Sequence, residues 1–113
     1  EMILKMVEFR LRKEGYEIHL AVDGKEALEK IRSVQPDLII TDIMMPYITG
    51  LEIVHQIRKD MGLKTPIIIV SSIGLEKTVL EAFRLGADDF ITKPFSPNEL
   101  SVRVNRMLAR EGK

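Results

Sequence analysis

The amino-acid sequence predicts an α/β fold: a parallel sheet with helices on both faces. Three observations carry this. Stretches of helical periodicity alternate with short apolar runs along the whole chain, the pattern of βαβ units. Two of the runs, Leu38 to Thr41 and Ile67 to Val70, are apolar without alternation, as central parallel strands covered on both faces must be. Three successive runs end on polar side chains. Asp42 follows the first, Ser71-Ser72 the second, and Lys93 follows Phe90-Ile91-Thr92. Open α/β sheets build their sites just outside the carboxyl ends of the strands, so these groups are expected to converge.

Each element has its own signal. Residues 2–14 set Ile3, Met6, Val7 and Leu11 on one helical face, and Gly15 is a natural stop. Tyr16, Ile18, Leu20 and Val22 alternate with Glu17, His19 and Ala21, which predicts a half-buried strand at or near an edge. Residues 24–33 form a helix with Ala27, Leu28 and Ile31 inward. The strand at 38–41 follows, then a helix over 50–59 with Leu51, Val54 and Ile57 inward. After the strand at 67–70 comes a helix over 75–85 with Val79, Ala82 and Phe83 inward, closed by Gly86. Residues 89–92 are a short strand. The last helix, 97–110, has Ser96 as N-cap, Pro97 at its first position and Glu99 at its third. The reading gives five helices and four strands. Every helix except the first follows a strand, so the first helix lacks one.

Composition bounds the function. At 113 residues the chain is one domain. Lys plus Arg and Asp plus Glu stand at 17 each, which removes a bulk electrostatic case for nucleic acid or membrane binding. With no cysteine, thiolate catalysis and zinc–thiolate sites are excluded. No apolar run approaches the ~18 residues of a membrane span and no signal peptide opens the chain, so a cytoplasmic protein is expected. His19 and His55 lack ligand spacing and read as surface or half-buried histidines. A carboxylate, a hydroxyl and an amine at neighbouring strand ends suit a carboxylate that receives a phosphoryl group, with a hydroxyl and a cation holding its oxygens. The other reading of Asp42 is a turn or capping aspartate before Pro46.

Taken together, Asp-Ile-Met-Met-Pro at 42–46, Gly50, Ser71-Ser72, Gly86-Ala87-Asp88-Asp89-Phe90 and Lys93-Pro94-Phe95 resemble, in order and spacing, the receiver domain of bacterial two-component response regulators. The resemblance covers nearly the whole chain. It implies a flavodoxin-like doubly wound sheet of order 2-1-3-4-5, and places the missing strand at its centre, between Tyr16–Val22 and Leu38–Thr41. It also implies a pair of acidic residues at the end of that strand, and Glu1 falls just after where they belong. A central strand buries about five side chains at roughly 1.5–3 kcal/mol each. Its loss, on the order of 10 kcal/mol, rivals the whole stability of a small domain. Three explanations stay open: an omitted N-terminal segment, a partner's strand in the gap, or re-pairing of the four strands. A chain complete as written is expected to be oligomeric, unusually unstable or rearranged around its first 35 residues.

The resemblance also implies roles. Asp42 matches the phosphoacceptor, Lys93 the lysine that pairs with it, and Ser71 the switch hydroxyl. Ser72 matches the small residue beside the phosphoryl group, and Phe90 the aromatic that follows the switch. A cis bond at Lys93-Pro94 is part of the pattern. For magnesium, only Asp42 and the backbone carbonyl of Met44 are available, the acidic pair being absent, so binding is expected to be weak or absent and phosphorylation slow. The implied donor is a histidine kinase or histidine phosphotransfer protein. The implied output is a separate domain, of the winged-helix DNA-binding kind, since the segment from Thr92 resembles regulators of that type. Asp89, Glu99 and Arg103 match their dimer face, which brings a homo-oligomer into view, but Val79 stands where a basic partner for Glu99 is expected. The domain is regulatory rather than an enzyme. Haloacid-dehalogenase-like phosphatases also place an aspartyl nucleophile after a buried strand, but need a second Asp two residues on, where Met44 stands. The alternative function is a non-phosphorylatable receiver-like module that acts by protein contacts alone.

Overall fold

A computed structural model describes residues 2–44, 48–72 and 74–110. The elements run α1 (Met2–Lys13), α2 (Gly24–Val34), β1 (Ile39–Asp42), α3 (Gly50–His55), β2 (Ile67–Ser71), α4 (Glu76–Leu85), β3 (Asp89–Thr92) and α5 (Pro97–Arg110). The chain divides into two compact units, residues 21–94 and the two terminal stretches taken together.

Residues 21–94 hold the sheet. It is parallel, three-stranded and ordered β1-β2-β3. All five residues of β2 are buried, which is why its sequence shows no alternation. Ile39, Ile67 and Ile69 join Leu28 and Ile31 of α2, Ile53 and Val54 of α3, Ile57 and Ala82 in one core cluster. The helices start where the side chains can cap them. Asp23 accepts from the Glu26 amide at 2.9 Å, while Glu26 accepts from the Val22 amide at 2.8 Å. Thr49 caps α3 by accepting from the Glu52 amide at 3.2 Å. Past His55 the helix widens to a π-helical turn over Gln56–Asp60. The reading of one continuous helix over 50–59 therefore holds in direction but not in hydrogen-bond register: Met61 donates to the Gln56 carbonyl, five residues back, at 2.9 Å. Gly86 ends α4 with φ +118°, a left-handed cap that few other residues adopt.

In the terminal unit α1 and α5 pack together. Leu11 of α1 and Leu100, Val104, Met107 and Leu108 of α5 are buried. Ser96 caps α5, accepting from the Glu99 amide at 3.0 Å, and Pro97 is its first residue, as the sequence predicts. Glu14 sits in a polar knot. Its carboxylate accepts from the buried Ser101 hydroxyl at 2.6 Å and from Arg10 Nε at 2.6 Å. Tyr16 donates to Asn105, and Asn105 reaches back to Glu14 at 3.4 Å.

Three expectations are corrected. Residues 16–22 form no strand, and Leu20 and Val22, expected inward, are exposed, Val22 by 79%. A strand exists only against a lateral partner, and among the described residues this segment pairs with none of the three strands. Phe83, expected inward, is 44% exposed, because the inward row of α4 runs through Ala82, Val79 and Leu85. Met6 is likewise 48% exposed, at the margin of the row that buries Leu11.

Candidate functional site

The three strands are parallel, so their carboxyl ends share one edge. Asp42 ends β1 opposite Val70, and Ser71 ends β2 opposite Thr92, the last residue of β3. Lys93 follows directly, its amide donating to the Ser71 carbonyl at 2.7 Å. That bond extends the ladder by one residue and brings the lysine back over the sheet. Its Nζ donates to Asp42 Oδ2 at 2.6 Å. The Lys93-Pro94 peptide is cis.

Both carboxylate oxygens of Asp42 have partners, since Oδ1 accepts from the Met44 amide at 3.1 Å. The side chains of Asp42 and Lys93 are 27% and 23% exposed. The pair is thus half-withdrawn from water, where a charge-assisted hydrogen bond contributes more than the ~0–1 kcal/mol of a surface ion pair. It still faces solvent enough for a small group to reach it. Ser71 is fully buried and Ser72 beside it is exposed. Phe90 packs, partly buried, against the core cluster. Met44 is 66% exposed. Met45 and Pro46 of the Asp-Ile-Met-Met-Pro stretch, and Glu1, lie outside the described residues.

One residue of the site is more constrained than its sequence signal suggests. The Gly50 amide donates to the Ile43 carbonyl at 2.8 Å, holding the start of α3 against the end of β1. A Cβ on Gly50 would lie 2.2 Å from the Asp42 carbonyl oxygen. Only glycine allows this approach, which fixes the backbone carrying the carboxylate. A second feature escaped sequence reasoning altogether: Arg58 binds Asp88 at 2.9 Å on the opposite edge of the sheet. Its one signal is a lone arginine beside the buried Ile57.

Asp89 opens β3 and accepts from the Phe90 amide at 2.8 Å. Glu99 and Arg103, one turn apart on α5, pair with each other at 3.3 Å. His19 and His55 are both exposed, and His19 lies 2.6 Å from Glu17. No helix among the described residues is long and apolar enough to cross a membrane.

Comparison with known proteins speaks to family and fold. The response regulator receiver domain family matches the chain over residues 1–105. The alkaline phosphatase synthesis transcriptional regulatory protein PhoP of Bacillus subtilis (strain 168) is 39% identical over 110 residues, which span 97% of this chain and 45% of that protein. The chain therefore spans less than half the length of this relative. Among solved structures, the receiver domain of the Francisella response regulator 1452 superposes with a TM-score of 0.88 at 36% identity, covering 95% of this chain and 88% of that one. A CheY-like receiver domain protein from Methanospirillum hungatei JF-1 superposes with a TM-score of 0.90 at 27% identity, covering 98% and 88%. With a matching family profile, a shared fold and the strand-end pair in place, this chain belongs to the receiver domains of two-component response regulators, modules of signal transduction rather than classical catalysis.

Proposed function

We propose that Asp42 is the phosphoacceptor of this receiver, taking a phosphoryl group from a phosphohistidine on a histidine kinase or a histidine phosphotransfer protein. The observation that supports the reading best is the 2.6 Å contact between Lys93 Nζ and Asp42 Oδ2 at the carboxyl edge of the sheet. A carboxylate oxygen attacks phosphorus, the P–N bond breaks, and its electron pair returns to the imidazole of the donor. Lys93 balances the charge that gathers on the phosphoryl oxygens, and the Ser71 hydroxyl turns toward them, with Phe90 following. Ser72 leaves room beside the group. The signal then passes to an output domain or partner. An output acting on transcription suits the likeness to PhoP, a transcriptional regulatory protein, and the segment from Thr92 resembles regulators with a winged-helix DNA-binding domain, in which the positions of Asp89, Glu99 and Arg103 serve the pairing of two copies.

Receiver domains of this family typically bind Mg2+. Asp42 and the Met44 carbonyl offer two of the roughly six oxygens magnesium takes. Among the described residues no three His, Cys, Asp or Glu side chains cluster to complete a shell. The described residues therefore do not make a full magnesium site by themselves.

Magnesium with beryllofluoride, which mimics a phosphoryl group, tests the proposal. The expected result is an adduct on Asp42, formed slowly by this chain and readily once a strand ending in two aspartates is joined ahead of it. An adduct absent from both proteins would leave the contact-only module as the better reading.

A further inference from the structure

Arg58 occupies the amino edge of the sheet, opposite the phosphoacceptor. Its guanidinium spends all three nitrogens on different segments. Nε donates to the Gly86 carbonyl at 3.0 Å, Nη1 to the Leu63 carbonyl at 2.9 Å and Nη2 to Asp88 Oδ2 at 2.9 Å. Only 18% of its side chain is exposed. The same Asp88 oxygen accepts from the Ile67 amide at 2.9 Å, and the Asp88 amide donates to the Ile67 carbonyl at 2.9 Å. Ile67 is the first residue of β2 and Asp88 immediately precedes β3. One arginine thus holds the starts of two strands level. The fit is close: a Cβ on Gly86 would lie 2.8 Å from Arg58 Cγ.

This latch matters because the pattern of buried side chains specifies the register of β3 only weakly. Register is ordinarily specified by an alternating apolar face. β2 is buried on every residue and offers no such alternation, while β3 has four residues and buries only Ile91. A slip of one residue along β3 moves its end by about 3.3 Å. That is several times the ~0.5 Å window of an N–H···O hydrogen bond, so the 2.6 Å contact Lys93 makes with Asp42 depends on the register.

We infer that Arg58 is a positioning residue: by clamping Asp88 it sets the register of β3 on β2 and so delivers Lys93 to Asp42 from the far edge of the sheet. The inference rests on the reading of Asp42 and Lys93 as the reacting pair, but its test reads the folded geometry and not phosphoryl transfer. A chain that accepts no phosphoryl group still answers it.

The test is nuclear magnetic resonance of the Lys93 side-chain nitrogen and the Asp42 carboxyl carbon in the full chain. Three variants are compared: Arg58→Met, Asp88→Ala and, as a control, Leu28→Ala. Leu28 belongs to the core cluster but to none of the segments Arg58 holds. Arg58→Met and Asp88→Ala are expected to move both signals toward the positions they take when the pair is broken by Lys93→Met or Asp42→Asn. Leu28→Ala is expected to leave them in place at a comparable loss of stability. If Arg58→Met does not fold, Asp88→Ala, which keeps the bonds to Gly86 and Leu63 and removes the shared acceptor, gives the same reading. Unmoved signals in a folded Asp88→Ala protein, or equal movement in the Leu28→Ala control, would overturn the inference.

Discussion

Gly50 has no room for a side chain. The atom a Cβ would strike is a backbone carbonyl at 2.2 Å, which cannot rotate away as a flexible side chain would. Gly50→Ala is therefore expected to cost ~3 kcal/mol, the upper range of overpacking. The urea midpoint should fall with an unchanged slope. An alanine variant as stable as the parent would mean the start of α3 does not meet the Asp42 carbonyl as described. At this scale the sequence was informative about which residue types gather at the strand ends, because a carboxylate, a hydroxyl and a lysine after apolar runs are visible by eye. It was silent on contacts between backbone and backbone. Gly50 appeared as one letter of a pattern, and its reason, the approach to the Asp42 carbonyl, exists only in the fold.

Between elements, the join of α1 to α5 titrates. The hydrogen bond from Ser101, then that from Arg10, holds the Glu14 carboxyl below its ordinary value of 4.5. The charge on Glu14, after burial, in turn pushes the Tyr16 hydroxyl up. A carboxyl whose folded value is depressed adds stability above its unfolded value and loses it as pH falls through the folded one. The terminal unit should accordingly weaken in acid, below about pH 4.5. Replacing Glu14→Gln should flatten the fall in urea midpoint between about pH 5 and about pH 3, and Ser101→Ala should reduce it. A parent curve that is already flat there would contradict the assignment. The helices themselves were largely legible, since apolar spacing and caps such as Ser96 and Gly86 are local. The π-helical turn was not, because the spacing of Val54 and Ile57 fits either register. Nor was the outward turn of Phe83, since residues 79, 82 and 83 are equally good helical neighbours on paper.

For the molecule as a whole, the alternation of helical and apolar runs was legible as an α/β chain, while the pairing of its second segment was not. Tyr16–Val22 has the alternation of a strand but lies in no sheet, because alternation states which side chains would be buried and not whether a neighbour is there to pair. Hydrogen exchange should separate the two outcomes. Amides of β2, paired on both sides, are expected to be the most protected, and those of residues 17–21 as a group to exchange at least ~100-fold faster. Protection of residues 17–21 equal to that of β2 would place a strand where none is described.

The central claim, that the edge where Asp42 meets Lys93 accepts a phosphoryl group, is tested most directly by peptide mass spectrometry after incubation with a phosphohistidine donor and magnesium. The account predicts one added phosphoryl group, on the peptide that carries Asp42, labile to hydroxylamine as an acyl phosphate is. It predicts no such group in Asp42→Asn, and a faster gain when a strand ending in two aspartates precedes the chain. A phosphoryl group found on another residue, or none on Asp42 even with that strand in place, would contradict it.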